Sequence, residues 1–439
     1  MWTPEIPRWP MLAPVRQEFD TTQVGDVEKA VSLAVEQLRS SGMLRPVRPG
    51  QTVAITAGSR GIDCIAEVTA ALVTVCRAMG LEPFIVPSMG SHGGATAEGQ
   101  AQVLASLGIT EETAGAPIRS SMQVVQLGET EDGIPVFMDA LAMQADHIII
   151  ANRVKSHTKF KAPIESGLFK MACIGLGKHT GAALYHKLAV RHGFALVIRQ
   201  AGRLALATAP VLFGLGLVEN AHGKLHTIAA IAPQQIEQEE EKLLTLCKEL
   251  SPKLPFSVID LLIVDRIGKN ISGTGMDVNV TGRNRDILGD FMSSPRVSRI
   301  FVRDLTPESE GNALGIGFAD FTTDRLVHAM DYAKTVTNAL TGISPEKAAI
   351  PIHFPTDRQS LQAALHSLGD WQPETVRIVR IADTLHLETM HVSPALLAGL
   401  PASARQTGQT RQTGQIGQIG QATPMEFDND GNLIPLTPL

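Results

Sequence analysis

Cysteine and aromatic residues are scarce in this chain, whose 439 residues include four cysteines and 4% Phe, Trp and Tyr. No two cysteines stand at CxxC spacing. This disfavours a disulfide framework or a thiolate metal cluster and fits a reducing compartment. The small number of rings also disfavours a sheet-rich sandwich and a protein that stacks nucleic-acid bases.

Long apolar runs and a strong excess of charge of one sign are missing as well. No uncharged apolar run reaches the roughly 18 residues of a membrane span, and the proline-rich N-terminus lacks the apolar core of a signal peptide. The formal net charge is −6, without a dominant basic block. We therefore expect a cytoplasmic protein that binds neither membrane nor nucleic acid.

Two catalytic motifs are absent. Without GxGxxG there is no dinucleotide fingerprint, and without HExxH or a Cys/His/Asp set at zinc spacing, a zinc site made by protein alone is weakly supported. His179 and His186, seven residues apart, could still share one helix face. A zinc-type hydrolase built on these two histidines is the weakest alternative.

Short apolar segments alternate with longer amphipathic ones. Gln51–Thr56, Glu82–Pro87 and His147–Ala151 are predicted strands, and helical spacing follows at Ile62–Met79. This alternation is typical of parallel sheets with helices on their faces. With a length that exceeds one ordinary core, it predicts an α/β protein of two Rossmann-like α/β domains, with the active site in the cleft between them.

The predicted boundary lies at Ser251–Pro255, where SPKLP interrupts the pattern after an acidic helix whose charge run is expected to be a solvated face. We assign residues 1–252 to an N-terminal cofactor-binding domain and 253–390 to a smaller C-terminal α/β domain with a helix near Thr323–Leu340. Residues 391–403 are a possible return segment to the first domain. Residues 404–439, with QTGQ and QIGQ repeats, are expected to be a disordered tail.

Two loops that follow predicted strands carry candidate site residues. AGSRGI presents Gly58, Ser59 and Arg60, whose guanidinium could pair with a phosphate or carboxylate. An ordinary turn with a surface arginine explains it equally well. MGSHGGATAEGQ places His92 among glycines, where an imidazole can reach a substrate and move protons. The other interpretation is a histidine that satisfies its own loop.

The stretch Asn152–His186 concentrates positive charge, with Glu165 as its one acid. A bound anion or simple solvent exposure would account for this imbalance. Lys170 lies in the largely apolar ESGLFKMACIGLG, so we expect it to be semi-buried with a lowered pKa. Lys178, in GLGKHTG, fits either a phosphate contact or a turn.

These segments resemble the lactate racemase family, which uses a nickel-pincer nucleotide. The resemblance rests on GSHGGATAEG around His92, on SHTKFKAPIESGLFK, and on His186, sixteen residues after Lys170. It implies that Lys170 carries the cofactor through a thioamide, that His186 is the protein ligand to nickel, and that His92 and His157 are the two acid–base groups. Arg60, with Gly58, Ser59 and Lys178, would then contact the cofactor.

The chain also departs from the family's pattern. His157 stands thirteen residues before Lys170, somewhat farther than in the family. Ala57 occupies a position where well-known members have an acid, and Gly167, Leu168 and Phe169 replace a glycine run. These differences leave open which 2-hydroxy acid is the substrate.

The function that this resemblance implies is racemisation or epimerisation of a 2-hydroxy acid by reversible hydride transfer from C2 to the cofactor. The substrate carboxylate needs a cation, and Lys269, Asn270 and Arg283 in the glycine-rich loop Ile267–Asn284 are the candidates, unless that loop is only a flexible connection. Expected partners are the small-molecule acid and the cofactor-biosynthesis proteins. The main alternative is a non-catalytic cofactor- or anion-binding protein on the same scaffold.

Overall fold

The computed structural model describes residues 4–287, 291–292, 294–400 and 415–436, and it separates into two compact units. One unit is formed by Thr21–Ser251, and the other by Met1–Asp20 together with Pro252–Leu439. The first twenty residues thus group with the C-terminal part of the chain and not with the N-terminal domain expected from sequence. The cause is a strand at Met11–Glu18 that pairs with Thr389–Val392.

The described strands are β1 (Met11–Glu18), β2 (Thr52–Ala57), β3 (Glu82–Pro87), β4 (Val124–Glu129), β5 (Pro135–Asp139), β6 (His147–Arg153), β7 (Val211–Glu219), β8 (Leu225–Ile231), β9 (Val258–Ile267), β10 (Arg283–Asn284), β11 (Phe291–Met292), β12 (Arg296–Leu305), β13 (Phe321–Thr323), β14 (Ile352–Phe354), β15 (Ile378–Ile381), β16 (Thr389–Val392), β17 (Gln415–Ile419) and β18 (Thr423–Pro424).

The described α-helices are α1 (Val27–Ser40), α2 (Ile65–Ala78), α3 (Ala97–Ser106), α4 (Glu111–Ala114), α5 (Ala140–Met143), α6 (Leu168–Lys170), α7 (Lys178–His192), α8 (Phe194–Thr208), α9 (Ile236–Leu250), α10 (Val278–Thr281), α11 (Asp324–Ala329), α12 (Tyr332–Thr341), α13 (Asp357–His366) and α14 (Pro394–Ala398). None of them is both long enough and apolar enough to cross a membrane.

The Thr21–Ser251 unit is built on a sheet of order β3-β2-β6-β7-β8. The first four strands run parallel, and β8 pairs antiparallel with β7. Their apolar side chains are buried on both faces, as parallel strands covered by helices require. Helices α1 and α2 share one such core with β2 and β7. The mixed α/β class predicted from the sequence is therefore confirmed.

The other unit contains, among its described residues, a sheet of order β14-β13-β12-β9-β15-β16-β1-β17, with β18 also on β1. Strands β14 to β15 are parallel, and β16, β1 and β17 add antiparallel neighbours. The single helix expected near Thr323–Leu340 is two helices. Met330 is extended between them, and the Asp331 carboxylate starts α12 by accepting from the Lys334 N–H at 2.9 Å.

The C-terminal tail also differs from the expected disorder. Within 404–439, residues 404–414 and 437–439 lie outside the described residues. The remainder forms β17 on β1 and a segment whose Met425 and Leu433 side chains are 6% and 4% exposed. The repetitive composition predicted no core for this segment. Its few apolar side chains nevertheless pack into the hydrophobic core beside the sheet.

Candidate functional site

Three loops meet at the carboxyl edge of the parallel sheet in the Thr21–Ser251 unit. They follow β2, β3 and β6 in turn, and β2 lies between β3 and β6 in the sheet. Because parallel strands end at the same edge, the loops with Gly58, His92 and His157 are brought together there. This is the arrangement expected of a ligand site in an open α/β sheet.

The first two loops touch through side chains. The Ser59 Oγ lies 2.5 Å from the His92 Nδ1. Gly58 lies beside the segment that follows Lys170, since a Cβ at that position would stand 3.3 Å from the Met171 Cε. Both His92 and Arg60 are exposed. His92 therefore faces solvent at the end of β3 with its ring held by a hydroxyl.

The His92 loop is shaped by glycines with positive φ. Gly93 has a φ of 65°, and a Cβ there would lie 2.6 Å from the Gln100 backbone nitrogen, so no larger residue fits. Helix α3 then begins after Thr96, whose Oγ1 accepts from the Gly99 N–H at 3.0 Å. The loop is thus a fixed structure between β3 and α3.

Lys170 ends the short helix α6 and leads into a π-helical turn at Met171–Gly175. The side chain is partly buried, and its pKa is lowered to about 8. Burial is the main cause, followed by the positive charges of Lys155 and Arg60. The expected semi-buried amine is therefore present, and a sizeable neutral fraction exists near neutral pH.

The buried carboxyl of Glu240 binds the backbone of the segment that contains Lys170. The Glu240 Oε2 accepts from the Phe169 N–H at 2.9 Å, and Glu240 is fully buried. Its pKa is raised to about 8 by burial, although hydrogen bonds from the Phe169 and Leu168 backbone oppose the rise. Gly167 must lack a side chain, because a Cβ would meet the Glu240 Oε1 at 2.3 Å.

Glu240 was hidden in the acidic run that the sequence analysis assigned to a solvated face. The signal that could have identified it is periodicity. Glu240 lies three residues before Leu243 and seven before Cys247, and all three are on the buried face of α9. A carboxyl on the apolar stripe of a helix is a buried carboxyl.

His157 is held through its backbone and its ring. Its backbone N–H donates to the Glu165 Oε2 at 2.7 Å, and its Nδ1 accepts from the Lys159 backbone N–H at 3.0 Å. A neutral ring that accepts at Nδ1 carries its proton on Nε2. Burial, with Lys170 as the largest electrostatic contributor, holds the pKa of His157 well below its usual value.

Two phenylalanines link His157 to His186. The His157 ring lies 4.6 Å from the Phe160 ring and 5.9 Å from the Phe194 ring. The His186 ring meets Phe194 edge-on at 5.0 Å. Phe160 and Phe194 are buried, and the structure therefore brings the predicted base and the predicted metal ligand to one aromatic cluster.

The Lys178 ammonium lies among protein oxygens. Its side chain is 0% exposed, and its Nζ lies 3.0 Å from the Asp139 Oδ2 and 3.1 Å from the Gln100 Oε1, with a further hydrogen bond to the Pro87 carbonyl. The expectation that Lys178 binds the cofactor is therefore not supported. The GLGKHTG motif, which fitted two interpretations, did not reveal that the ammonium contacts three protein oxygens.

The zinc alternative gains no support either. His179 is exposed and His186 is partly buried. Among the residues that the structure describes, no three His, Cys, Asp or Glu side chains gather where they could hold a metal ion. A metal bound through His186 would need donors from a cofactor or from solvent.

The three predicted substrate contacts lie in the other unit. The Lys269 Nζ donates to the Gly273 carbonyl at 2.6 Å, and the Asn270 Oδ1 accepts from Thr306 at 2.7 Å. Arg283 is 5% exposed and pairs with Asp320 at 2.6 Å, with its other bonds going to backbone carbonyls. The structure does not support Arg283 as a substrate contact, because its guanidinium is buried among protein acceptors.

Comparisons with known proteins bear on the same part of the chain. The family model of the lactate racemase N-terminal domain matches residues 5–194. No curated protein matches. Seven chains of solved structures do. One is the lactate racemase apoprotein from Thermoanaerobacterium thermosaccharolyticum, which is 12% identical with a TM-score of 0.48, over 78% of this chain and 88% of that one.

The family match includes all three loops, together with Lys170 and His186. It confirms the resemblance that the His92 and Lys170 motifs predict. Over residues 5–194 this chain is therefore similar to the lactate racemase N-terminal domain.

Proposed function

We propose that this protein is a racemase or epimerase of a 2-hydroxy acid that depends on a nickel-pincer nucleotide, with Lys170 as the covalent anchor. The observation that carries the proposal is the Lys170 amine, whose pKa is lowered to about 8 at the edge where three strand-end loops meet. An amine that is partly neutral near neutral pH can form an amide-type bond, whereas an ordinary lysine is almost fully protonated.

The side chains around Lys170 fit such a cofactor. Arg60, Lys155 and Lys159 all lower the pKa of Lys170 through their positive charge, which means that this edge carries a positive potential suited to a phosphate and a carboxylate. His186 offers one imidazole, which suits a metal whose other donors come from the cofactor. When bound, the cofactor supplies the hydride chemistry at the substrate C2.

The two histidines have unequal roles in this proposal. The Lys159 N–H can only donate, so it keeps the proton of a neutral His157 on Nε2, ready to donate to a substrate oxygen. The Ser59 hydroxyl can donate or accept, so His92 is able to adopt either tautomer. We therefore assign removal of the hydroxyl proton to His92 for one enantiomer. For the opposite enantiomer we assign it to His157, whose Nε2 can accept a proton only when the Lys159 N–H bond to Nδ1 is broken and the ring proton has moved to Nδ1.

For the substrate carboxylate, Lys269 and Asn270 stay predictions, and Arg283 is withdrawn. The proposed partners are a small 2-hydroxy acid and the proteins that make and deliver the cofactor.

The test uses full-length protein made in a host that synthesises the cofactor. Intact-mass analysis with peptide mapping should show an adduct on Lys170, and metal analysis should show about one nickel per chain. Lys170→Ala should lose both, whereas the control Lys187→Ala, an exposed lysine on α7, should keep both. Wild-type protein without adduct or nickel would overturn the proposal.

Activity then separates the remaining functions. A panel of lactate, malate, aryl-lactates and sugar acids should contain at least one acid that the loaded protein epimerises. Adduct and nickel without any epimerisation would indicate a cofactor-binding protein. Zinc-dependent hydrolysis that survives Lys170→Ala would indicate a hydrolase.

A further inference from the structure

Lys178 is a fully buried ammonium at the first residue of α7. Its Nζ reaches three oxygens, namely the Asp139 Oδ2 at 3.0 Å, the Gln100 Oε1 at 3.1 Å and the Pro87 carbonyl. The contacts to Gln100 and Pro87 are hydrogen bonds, and the contact to Asp139 is an ion pair. A charge placed this deeply and compensated in this way has a structural task.

Gln100 passes the constraint on to the His92 loop. Because Lys178 can only donate, it fixes the Gln100 amide with Oε1 toward the ammonium and Nε2 toward the loop. The Nε2 then donates to the Gly90 carbonyl at 2.9 Å and to the His92 carbonyl at 3.3 Å. Both ends of the turn that presents His92 are thereby tied to the same buried side chain.

The other side of this loop rests on the segment that follows Lys170. The Gly90 N–H donates to the Gly175 carbonyl at 3.3 Å. Gly175 allows this approach, because a Cβ there would meet the Ser88 carbonyl oxygen at 2.8 Å. Gln100 holds the loop on one side, and the π-helical turn contacts it on the other. His92 is thereby held at a defined position relative to Lys170.

We propose that Asp139, Lys178 and Gln100 are positioning residues that hold the His92 loop, and with it the His92 imidazole, against the Lys170 segment. The importance of this for turnover rests on the proposed function, in which His92 moves the substrate proton. Asp139 orients the ammonium and also caps α5, where its Oδ1 accepts from the Ala142 N–H at 2.9 Å.

Gln100→Glu tests the chain of contacts at its middle member. The substitution preserves shape and keeps an acceptor for Lys178, but a carboxylate offers no N–H to the Gly90 and His92 carbonyls and repels them. Removing Lys178 itself would strand a buried Asp139 and endanger folding. The matched control is Gln102→Glu, the same charge change on an exposed residue of the same helix.

The first measurement is hydrogen exchange by mass spectrometry on the protein without cofactor. Peptides covering residues 88–99 should exchange about tenfold faster in Gln100→Glu, with the rest of the chain unchanged, as loss of local hydrogen bonds predicts. Gln102→Glu should exchange like the wild type. Equal exchange of this loop in the two variants would overturn the proposal.

The second measurement is steady-state kinetics of the loaded protein on the acid that it epimerises. Gln100→Glu should lower kcat about tenfold or more with little change in KM, because a displaced base weakens the chemical step and leaves substrate binding largely intact. A loosened loop with an unchanged kcat would overturn the positioning role. Since the exchange measurement needs neither cofactor nor substrate, absence of the Lys170 adduct would refute the proposed function without deciding the fate of the loop.

Discussion

At the scale of single residues, the site is defined by what surrounds the Lys170 amine. Burial and the neighbouring cations Lys155 and Arg60 all favour its neutral form. The same field disfavours the imidazolium of His157. One cluster of positive charge thus favours the unprotonated forms of Lys170 and His157.

Titration of Lys170 follows directly from these neighbours. Competitive labelling with an amine-reactive reagent should give a Lys170 reactivity that levels off above about pH 8, whereas Nα-acetyl-lysine continues to gain reactivity to beyond pH 10. Arg60→Gln removes one cation and should shift the Lys170 midpoint upward. A midpoint that stays in place or moves down would contradict the electrostatic contribution of Arg60.

Glu240 predicts a pH dependence of stability with a definite sign. Its pKa is about 8 in the folded chain and near its ordinary value in the unfolded one, so the folded state holds an extra proton between about pH 4.5 and pH 8. The contribution of Glu240 to the free energy of unfolding therefore falls as pH rises through that window, by at most about 5 kcal/mol. Glu240→Gln should remove this contribution to the slope.

The check is urea unfolding at several pH values for wild type, Glu240→Gln and the exposed control Glu249→Gln. The comparison concerns the slope against pH and not the absolute stability, because the substitution also replaces a buried group whose Oε1 has no hydrogen-bond partner among the described residues. A Glu240→Gln profile parallel to that of the wild type would show that Glu240 is ionised in the folded protein.

At the scale of elements, the His92 loop depends on close backbone approach as well as on positive φ. Gly93 and Gly94 have nearly equal φ values of 65° and 66°. A Cβ on Gly93 would lie 2.6 Å from the backbone of Gly99 and Gln100, whereas one on Gly94 meets nothing within 4 Å. The two positions therefore separate the effect of strain from that of a clash.

Gly94→Ala should cost only the left-handed strain, about 1 kcal/mol. Gly93→Ala adds a clash with backbone and should displace the loop, so that hydrogen exchange at residues 88–99 rises and turnover falls by a larger factor than in Gly94→Ala. Thermal unfolding and exchange on the pair measure this. Equal effects of the two variants would mean that the loop can move away from α3 and relieve the clash, so that close backbone approach is not required.

At the scale of the whole molecule, apolar runs predict where helices and strands lie better than they predict which distant residues contact one another. β3, for example, begins and ends at the predicted residues. Burial of Lys178 and Arg283 could not be predicted, because it depends on acceptors distant in sequence, Asp139 for one and Asp320 for the other. A lone cation in a glycine-rich loop suggests a ligand contact until those acceptors are placed.

The tail shows the same limit, because pairing across the whole chain decides its structure. β17 needs β1, almost four hundred residues earlier, and Leu433 fills a core with Leu361 and Phe301. The Leu433 N–H also donates to the Asp357 carboxylate at 2.9 Å, beside the partly buried Arg303. Local composition carries no information on contacts of this length.

Leu433→Ala distinguishes a docked tail from a disordered one. A docked Leu433, 4% exposed, should lose about 2–4 kcal/mol of unfolding free energy on truncation, whereas the neighbouring Ile434, 41% exposed, should lose well under half as much in Ile434→Ala. Denaturant unfolding monitored at the Trp371 fluorescence, in the same core, measures both, because Trp371 packs against that cluster. A disordered tail would leave the two variants as stable as the wild type, since neither side chain would then be buried.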